Sequence, residues 1–427
     1  MLCFSYSRAA VIGVDLGGEF FKSTLVKPGY PFTIVENTAS QRKTATAMAF
    51  TKEERVYGSA AVMKSSSIPT HTFMFVRDLI GMKYSDAIQD KTLKKYNLVE
   101  DVRGYVAFNV ELKEEGEMKS YIFTIEEILG MILKHARDLA EIQSSGIVLD
   151  IFLTVPHSFT MNQRRMLNDA VVMAGMNCVG MIEENSAAAI TYGIDRKDEN
   201  STHSVLFLNL GSTNFEASVV NYFARAENIT DKLGNIRKGE VVQNIDVTGH
   251  ASSSDISGRH FDTELLNILA EEFNSLKSRQ GKTDIRENPR IMNRLYKEVN
   301  KIKETLSANK EKSVLIPEVA DYINLKTKIT RPQFEESIEK YMHYLKTTVE
   351  EVLRKSDVTI EELSAVEIVG GALRVPKVKD FLASLIGDHT LGSHINGDEA
   401  MTFGAAFIGA NSSSSFKARK LFLHDTR

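Results

Sequence analysis

Apolar strand-like runs and amphipathic helical stretches alternate along the whole chain. Residues 11–15 and 22–26 are apolar runs on either side of a Leu-Gly-Gly turn, the pattern of two strands joined by a tight turn. Thr124 begins a helix: Glu127 completes a capping box, and Ile125, Ile128, Leu129, Ile132 and Leu133 fall on one face. Residues 147–155 form a buried-strand run closed by Pro156. Thr160 with Gln163 then caps a second helix, which Gly175 ends. The second half repeats this logic, with strands over 205–210 and 215–220 around a Gly-Ser-Thr-Asn turn. Asn288-Pro289 opens a long helix to about residue 309, with Leu295, Val299, Ile302 and Leu306 at helical spacing. Thr330 and Pro332 open another that runs to about residue 356. A strand over 365–369 leads into Gly370-Gly371 and a helix from Pro376. Residues 411–415 are a polar break, and 416–427 read as a basic-then-apolar tail that resembles the start of a linker.

Strands alternating with helices make this an α/β protein. Its two halves echo one another: residues 11–18 read VIGVDLGG and residues 205–212 read VLFLNLGS. Four apolar positions, Asp or Asn, Leu, Gly and a small residue recur in order, which predicts a duplicated architecture with two related lobes. The chain of 427 residues is long enough for two to four compact units at about 100–200 residues each.

Charge narrows the function. Lys and Arg number 52 against 56 Asp and Glu, a formal net charge of −4, so a nucleic-acid or anionic-membrane protein is not expected. Cys3 and Cys178 are the only cysteines, which excludes a disulfide framework and a zinc cluster. No run reaches the ~18–20 apolar residues of a membrane-spanning helix, and residues 1–10 lack the apolar core of a signal peptide. Sequons at Asn200, Asn228 and Asn411 occur about as often as chance supplies them.

The candidate chemistry gathers at glycine turns. A tight turn after a buried strand lets backbone N–H groups approach an anion, and there are three: 16–19, 210–214 and Gly370-Gly371. Together they suggest a two-lobed phosphate clamp. Asp15 ends its strand beside the first turn, where a carboxylate can hold a hydrated Mg²⁺ through water or simply cap the turn. Glu184 precedes a helix and either orients a water or complements the helix dipole. Lys303 and Ser307 share one face of the 288–309 helix, for which a solvated face is the default. His157, His203 and the remaining histidines show no metal-ligand spacing and read as structural; no Walker loop, HExxH or Ser-His-Asp signature is present.

At this point several long segments resemble the nucleotide-binding domain of the Hsp70 family. They are VIGVDLGG, LTVPHSFTMNQRRMLNDAVVMAGM, IEENSAAAITYGIDR, VEIVGGALRVPKV and INGDEAMTFGAA, in the family's order and spanning about residues 10–410. The resemblance implies the actin/hexokinase-like ATPase fold: two lobes, each with a core mixed sheet and an outer subdomain, clasping ATP or ADP with Mg²⁺. Lobe I is expected over 9–195 (core 9–44 and 122–195, outer 45–121) and lobe II over 196–410 (core 203–246 and 325–410, outer 247–324). Residues 411–427 follow as linker. KTATAMAF, RENPRIMNRL, KETLSANKE, TKITRPQFEE and SFKARKLFLHD are similar to the Grp170 class of large endoplasmic-reticulum chaperones. That class implies a lumenal location, a BiP-like Hsp70 ATPase domain as partner, and unfolded-protein clients only through a C-terminal region absent here.

Carried over by the resemblance, Asp15 belongs to the Mg²⁺ and water shell, Gly17 and Gly18 to the first phosphate turn, and Gly211, Ser212, Thr213 and Asn214 to the second. Glu184 would position water and couple the lobes. Lys303 and Ser307, with Asn300 and Glu304 beside them, would contact adenine and ribose. Gly258, Gly370, Gly371, Arg374 and Asp398 complete the nucleotide contacts. The departures are sharper than the matches. The second-lobe Asp of the family is Asn209, and the γ-phosphate Thr is Asn214. The catalytic Lys falls at Arg77 when VRDLIG is aligned on the family's AKRLIG. Asn209 cannot supply negative charge or accept a proton, so nucleotide binding with poor hydrolysis is expected.

Overall fold

In the computed structural model the echo becomes two sheets with the same strand order. The structure describes residues 10–412 and 421–425, apart from 115, 195, 197–201, 227–228, 231–235 and 238–240. In the first sheet Asn177–Glu183, Val148–Val155 and Ala10–Leu16 run parallel, and Ala10–Leu16 turns back antiparallel into Phe20–Val26. In the second, Leu391–Gly392, Ala365–Val369 and His203–Leu210 run parallel, and His203–Leu210 turns back into Phe215–Ala226 and then Val241–Ser253. Ala10–Leu16 is buried at every position, as a central strand covered on both faces must be.

Local signals formed the helices where the sequence placed them. Thr124 and Glu127 make the reciprocal capping box of Ile125–Ser144, and Thr160 and Gln163 do the same for Met161–Met173. Asn288 caps Pro289–Ala308, which buries Leu295, Val299, Ile302 and Leu306 against Gly258–Asn274. Each lobe carries an outer part beyond its core sheet. On the first it is two small sheets, Ala47–Phe50 with its neighbours and Leu98–Glu100 with Val106–Glu114 and Glu117–Thr124. On the second it is Gly258–Asn274, Pro289–Ala308 and the hairpin Glu311–Ala320/Ile323–Thr330.

Three elements differ from the sequence reading. The helix expected to run from 330 to 356 is two, Arg331–Ile338 and Met342–Ser356, separated by a 3₁₀ turn. Phe334 and Ile338 bury on the first, Leu345, Val349 and Val352 on the second. The two helices pack on different bodies, one on Gly258–Asn274 and one on the second sheet. The helix Ala400–Ser412, drawn with the second lobe, lies on the first lobe's sheet and on Glu184–Ile194. A Cβ at Gly404 would overlap the Ala187 carbonyl, so glycine permits that contact. Together these helices build a core between both sheets, including Phe152, Ala188, Phe207, Met401 and Phe407.

The third is the tail. Residues 413–420 lie outside the described residues, as do Asn200 and Asn228, but Leu421–Asp425 is a strand pairing parallel with Val241–Ser253 at the edge of the second sheet. Asp425 is held there by side chains from both lobes: its carboxylate accepts from Ser186 Oγ at 2.9 Å and pairs with His250 Nε2 at 2.9 Å. His250 stacks on His157, ring centroids 4.4 Å apart, and both rings reach Glu183. His157 and His250, which show no metal-ligand spacing in the sequence, thus meet at the junction of the lobes and the tail.

Candidate functional site

The carboxyl ends of the parallel strands converge on one cleft between the lobes, where open α/β sheets place their ligands. Asp15 is the last residue but one of Ala10–Leu16 in the first sheet, Asn209 that of His203–Leu210 in the second, Glu184 follows Asn177–Glu183 and Gly370 follows Ala365–Val369. The cavity there has a volume of about 360 Å³. Every residue expected at the site lines it. The turns Gly17-Gly18, Gly211–Asn214 and Gly370-Gly371 form its floor, with Gly258 behind the second. Asn300, Lys303, Glu304 and Ser307 project from the helix Pro289–Ala308, with Arg374 and Asp398 opposite.

The glycine turns are needed for closeness. A Cβ on Gly18 would lie 2.5 Å from Thr213 Cγ2, so the turns of the two lobes touch only because that atom is absent. Gly370 holds φ +93°, a conformation that side chains disfavour, and a Cβ there would strike the Leu210 carbonyl.

The clamp is closed. Arg77 Nη2 donates to Thr213 Oγ1 at 2.6 Å, and Asn300 Nδ2 donates to Glu19 Oε1. Further out, Lys297 Nζ donates to the Met63 carbonyl at 2.7 Å and Asn293 Nδ2 to the Ser65 carbonyl at 2.8 Å.

Within the cleft, almost every charged group expected to act on a phosphate is already engaged with the protein. Arg77, 3% exposed, uses five donations. Nε and Nη2 go to Asp78 Oδ1 (3.0 and 2.9 Å), Nη1 to the Leu16 carbonyl (3.0 Å) and Glu184 Oε1 (2.9 Å), and Nη2 also to Thr213. A guanidinium has five N–H groups, so none is left over for a ligand. Burial opposes its charge, but Asp78 and Glu184 more than compensate and hold its pKa above the ordinary value. Arg77 is a keystone between the lobes rather than a free phosphate cation. Glu184 accepts from Asn209 Nδ2 at 3.1 Å through its other oxygen. Burial pushes its carboxyl up, against the pull of Arg77.

Asp15 is likewise committed. Its Oδ1 accepts from Thr154 Oγ1 at 3.0 Å and its Oδ2 pairs with Lys22 Nζ at 2.8 Å. Lys22 sits directly opposite Asp15 in the strand register. The Mg²⁺ shell expected of Asp15 does not fit this corner. Both its oxygens are in use, an ammonium stands against one of them, and the second-lobe partner is an amide.

Four residues absent from the sequence reading shape the site. Lys22 is the one charged residue of the strand Phe20–Val26, which was the available signal. Glu216 accepts from Asn214 Nδ2 at 2.7 Å and from the His157 amide at 3.0 Å. Burial, then the nearby Glu184, push its carboxyl well above the ordinary carboxylate range. A glutamate at 1% exposure within a strand carries that information only once the strand is known to be covered. Asp262 pairs with Lys303 at 2.6 Å, and burial raises it to about 6 against the pull of Lys303. Glu19 meets Asn300 across the cleft.

Comparison with known proteins identifies the family of the chain. The profile of the family described as "Hsp70 protein" matches residues 11–427. The chain is 34% identical over 421 residues to hypoxia up-regulated protein 1 of Xenopus laevis, covering 97% of this chain and 62% of that one. Against the Xenopus tropicalis protein of that name it is 33% identical over 432 residues, covering 100% and 64%. Against the Homo sapiens protein it is 31% identical over 422 residues, covering 97% and 41%. The chain therefore spans between two fifths and two thirds of the length of these relatives.

Proposed function

Because the chain belongs to the Hsp70 family and is a chaperone-type domain related to the Grp170 class, we propose that its cleft binds ATP and ADP, hydrolyses ATP poorly, and serves to promote ADP release from a partner Hsp70. The partner is a BiP-like Hsp70 ATPase domain, and the site of action is the lumen of the endoplasmic reticulum. The observation that carries the reading is Asn209. It stands where the second lobe would offer a carboxylate, and it donates to Glu184 instead of accepting.

Hydrolysis needs a group that takes a proton from water and charge that stabilises the leaving phosphate. Asn209 is neutral, both Glu184 oxygens already accept, and Arg77 has no donor to spare. Losing one such group costs about 3 kcal/mol, or roughly 100-fold in rate. Binding suffers less, because backbone turns and the Lys303, Ser307 and Arg374 side of the cavity need no charge at 209. Nucleotide then acts as a ligand that favours the closed clamp seen here, and the closed clamp is the form that engages the partner. No helix among the described residues is long and apolar enough to cross a membrane.

The test is release of labelled ADP from a lumenal Hsp70 ATPase domain, with and without this protein loaded with ATP. Acceleration is expected. Unchanged release combined with single-turnover ATP hydrolysis within minutes would instead support an autonomous chaperone ATPase.

A further inference from the structure

Nucleotide polyphosphates carry three or four negative charges and ordinarily enter a protein site with a divalent cation. In this cleft the position beside Asp15 is taken by a protein cation. Lys22 reaches Asp15 Oδ2 with one of its three N–H donors, its side chain is 17% exposed, and it lines the cavity next to the first glycine turn. Its other two donors make no hydrogen bond to any described residue, and the side chain lines the cavity. Thr154 holds the other Asp15 oxygen, and Asn209 contributes no charge. A divalent cation placed here would meet a carboxylate already neutralised and an ammonium within contact distance.

Resting on the nucleotide-binding reading above, we propose that Lys22 is the counter-cation of the bound phosphates, so that the cleft takes ATP or ADP largely as the metal-free anion. Asp15 then serves to position the Lys22 ammonium rather than to organise a metal's water shell. Lysine suits the task because a compact ammonium can donate to a carboxylate and to a phosphate oxygen at once.

The experiment is calorimetric titration of the full chain with ATP, once in excess Mg²⁺ and once in EDTA, for the wild type, Lys22→Met and Lys22→Arg. The wild type is expected to change its Kd by less than about 3-fold on chelation. Lys22→Met frees Asp15 to recruit a cation and removes the fixed charge, so its affinity falls more than about 10-fold on chelation. Lys22→Arg keeps the charge but not the compact ammonium, so its Kd is expected to shift while still changing by less than about 3-fold on chelation. If Lys22→Met does not fold, the wild type and Lys22→Arg decide. Wild-type binding that collapses more than about 10-fold in EDTA leaves the nucleotide reading standing and overturns this one. Equal, weak dependence on Mg²⁺ in wild type and Lys22→Met overturns the role of Lys22. No binding in either buffer overturns both readings.

Discussion

Replacing Asn209 with Asp restores the carboxylate expected of the family, and the structure says what that costs. Asn209 is 2% exposed and its amide nitrogen lies 3.1 Å from Glu184 Oε2. In Asn209→Asp a second carboxylate oxygen faces the first at that separation. Two unit charges about 3 Å apart at an effective dielectric of about 20 repel by about 5 kcal/mol. The pair can escape by holding a proton. For a carboxyl with an ordinary value near 4, that costs about 4 kcal/mol at pH 7 and about 1.5 kcal/mol at pH 5. Protonation therefore caps the penalty at about 4 kcal/mol at pH 7, and Arg77, already on Glu184, reduces it further. The sign follows: a carboxyl raised in the folded state contributes stability that is present below its unfolded pKa and lost as pH rises through the folded one. Urea denaturation of wild type and Asn209→Asp at pH 5 and pH 7.5 measures this. The variant should lie within about 1.5 kcal/mol of the wild type at the lower pH and fall about 2–4 kcal/mol below it at the higher. A deficit independent of pH, or none at pH 7.5, would refute the juxtaposition of residues 184 and 209.

The same substitution should raise single-turnover ATP hydrolysis by about 10-fold or more if the missing carboxylate limits the rate, read by phosphate release. Asp262, pushed up to about 6 by burial against the pull of Lys303, makes folding less favourable as pH rises through 6. Asp262→Asn should accordingly gain stability relative to wild type between pH 5 and 7.5, checked by thermal unfolding at both. Asp425→Ala removes the acceptor of Ser186 and His250, so amide hydrogen exchange should quicken across residues 421–425 and their partners at 243–247 while the first sheet is unchanged. Gly404→Ala drives a methyl into the Ala187 backbone and should cost about 2 kcal/mol or more, seen as a lowered Tm.

What the sequence determined by itself was local. Capping boxes at Thr124 and Thr160, the Asn288-Pro289 helix start and the strand runs were legible because hydrogen-bond caps and hydrophobic period act within a few residues. The echo of VIGVDLGG in VLFLNLGS likewise announced two related lobes, whose sheets share a strand order in the structure, and the glycine turns announced a clamp between them. Tertiary structure decided the partners of charged groups. Nothing in VRDLIG says that Arg77 spends all its donors on Leu16, Asp78, Glu184 and Thr213, since those lie up to 136 positions away. The break between Ile338 and Met342 has no glycine or proline to mark it; it arises because successive apolar faces are claimed by different bodies. The tail reads as a linker because its pattern is short and polar-flanked. It becomes a strand because Val241–Ser253 offers an unpaired edge and Ser186 and His250 offer Asp425 its bonds. Caps and periods are properties of a segment, whereas the partners of Asp15 and Glu184 are set by which side chains the fold brings within 3 Å.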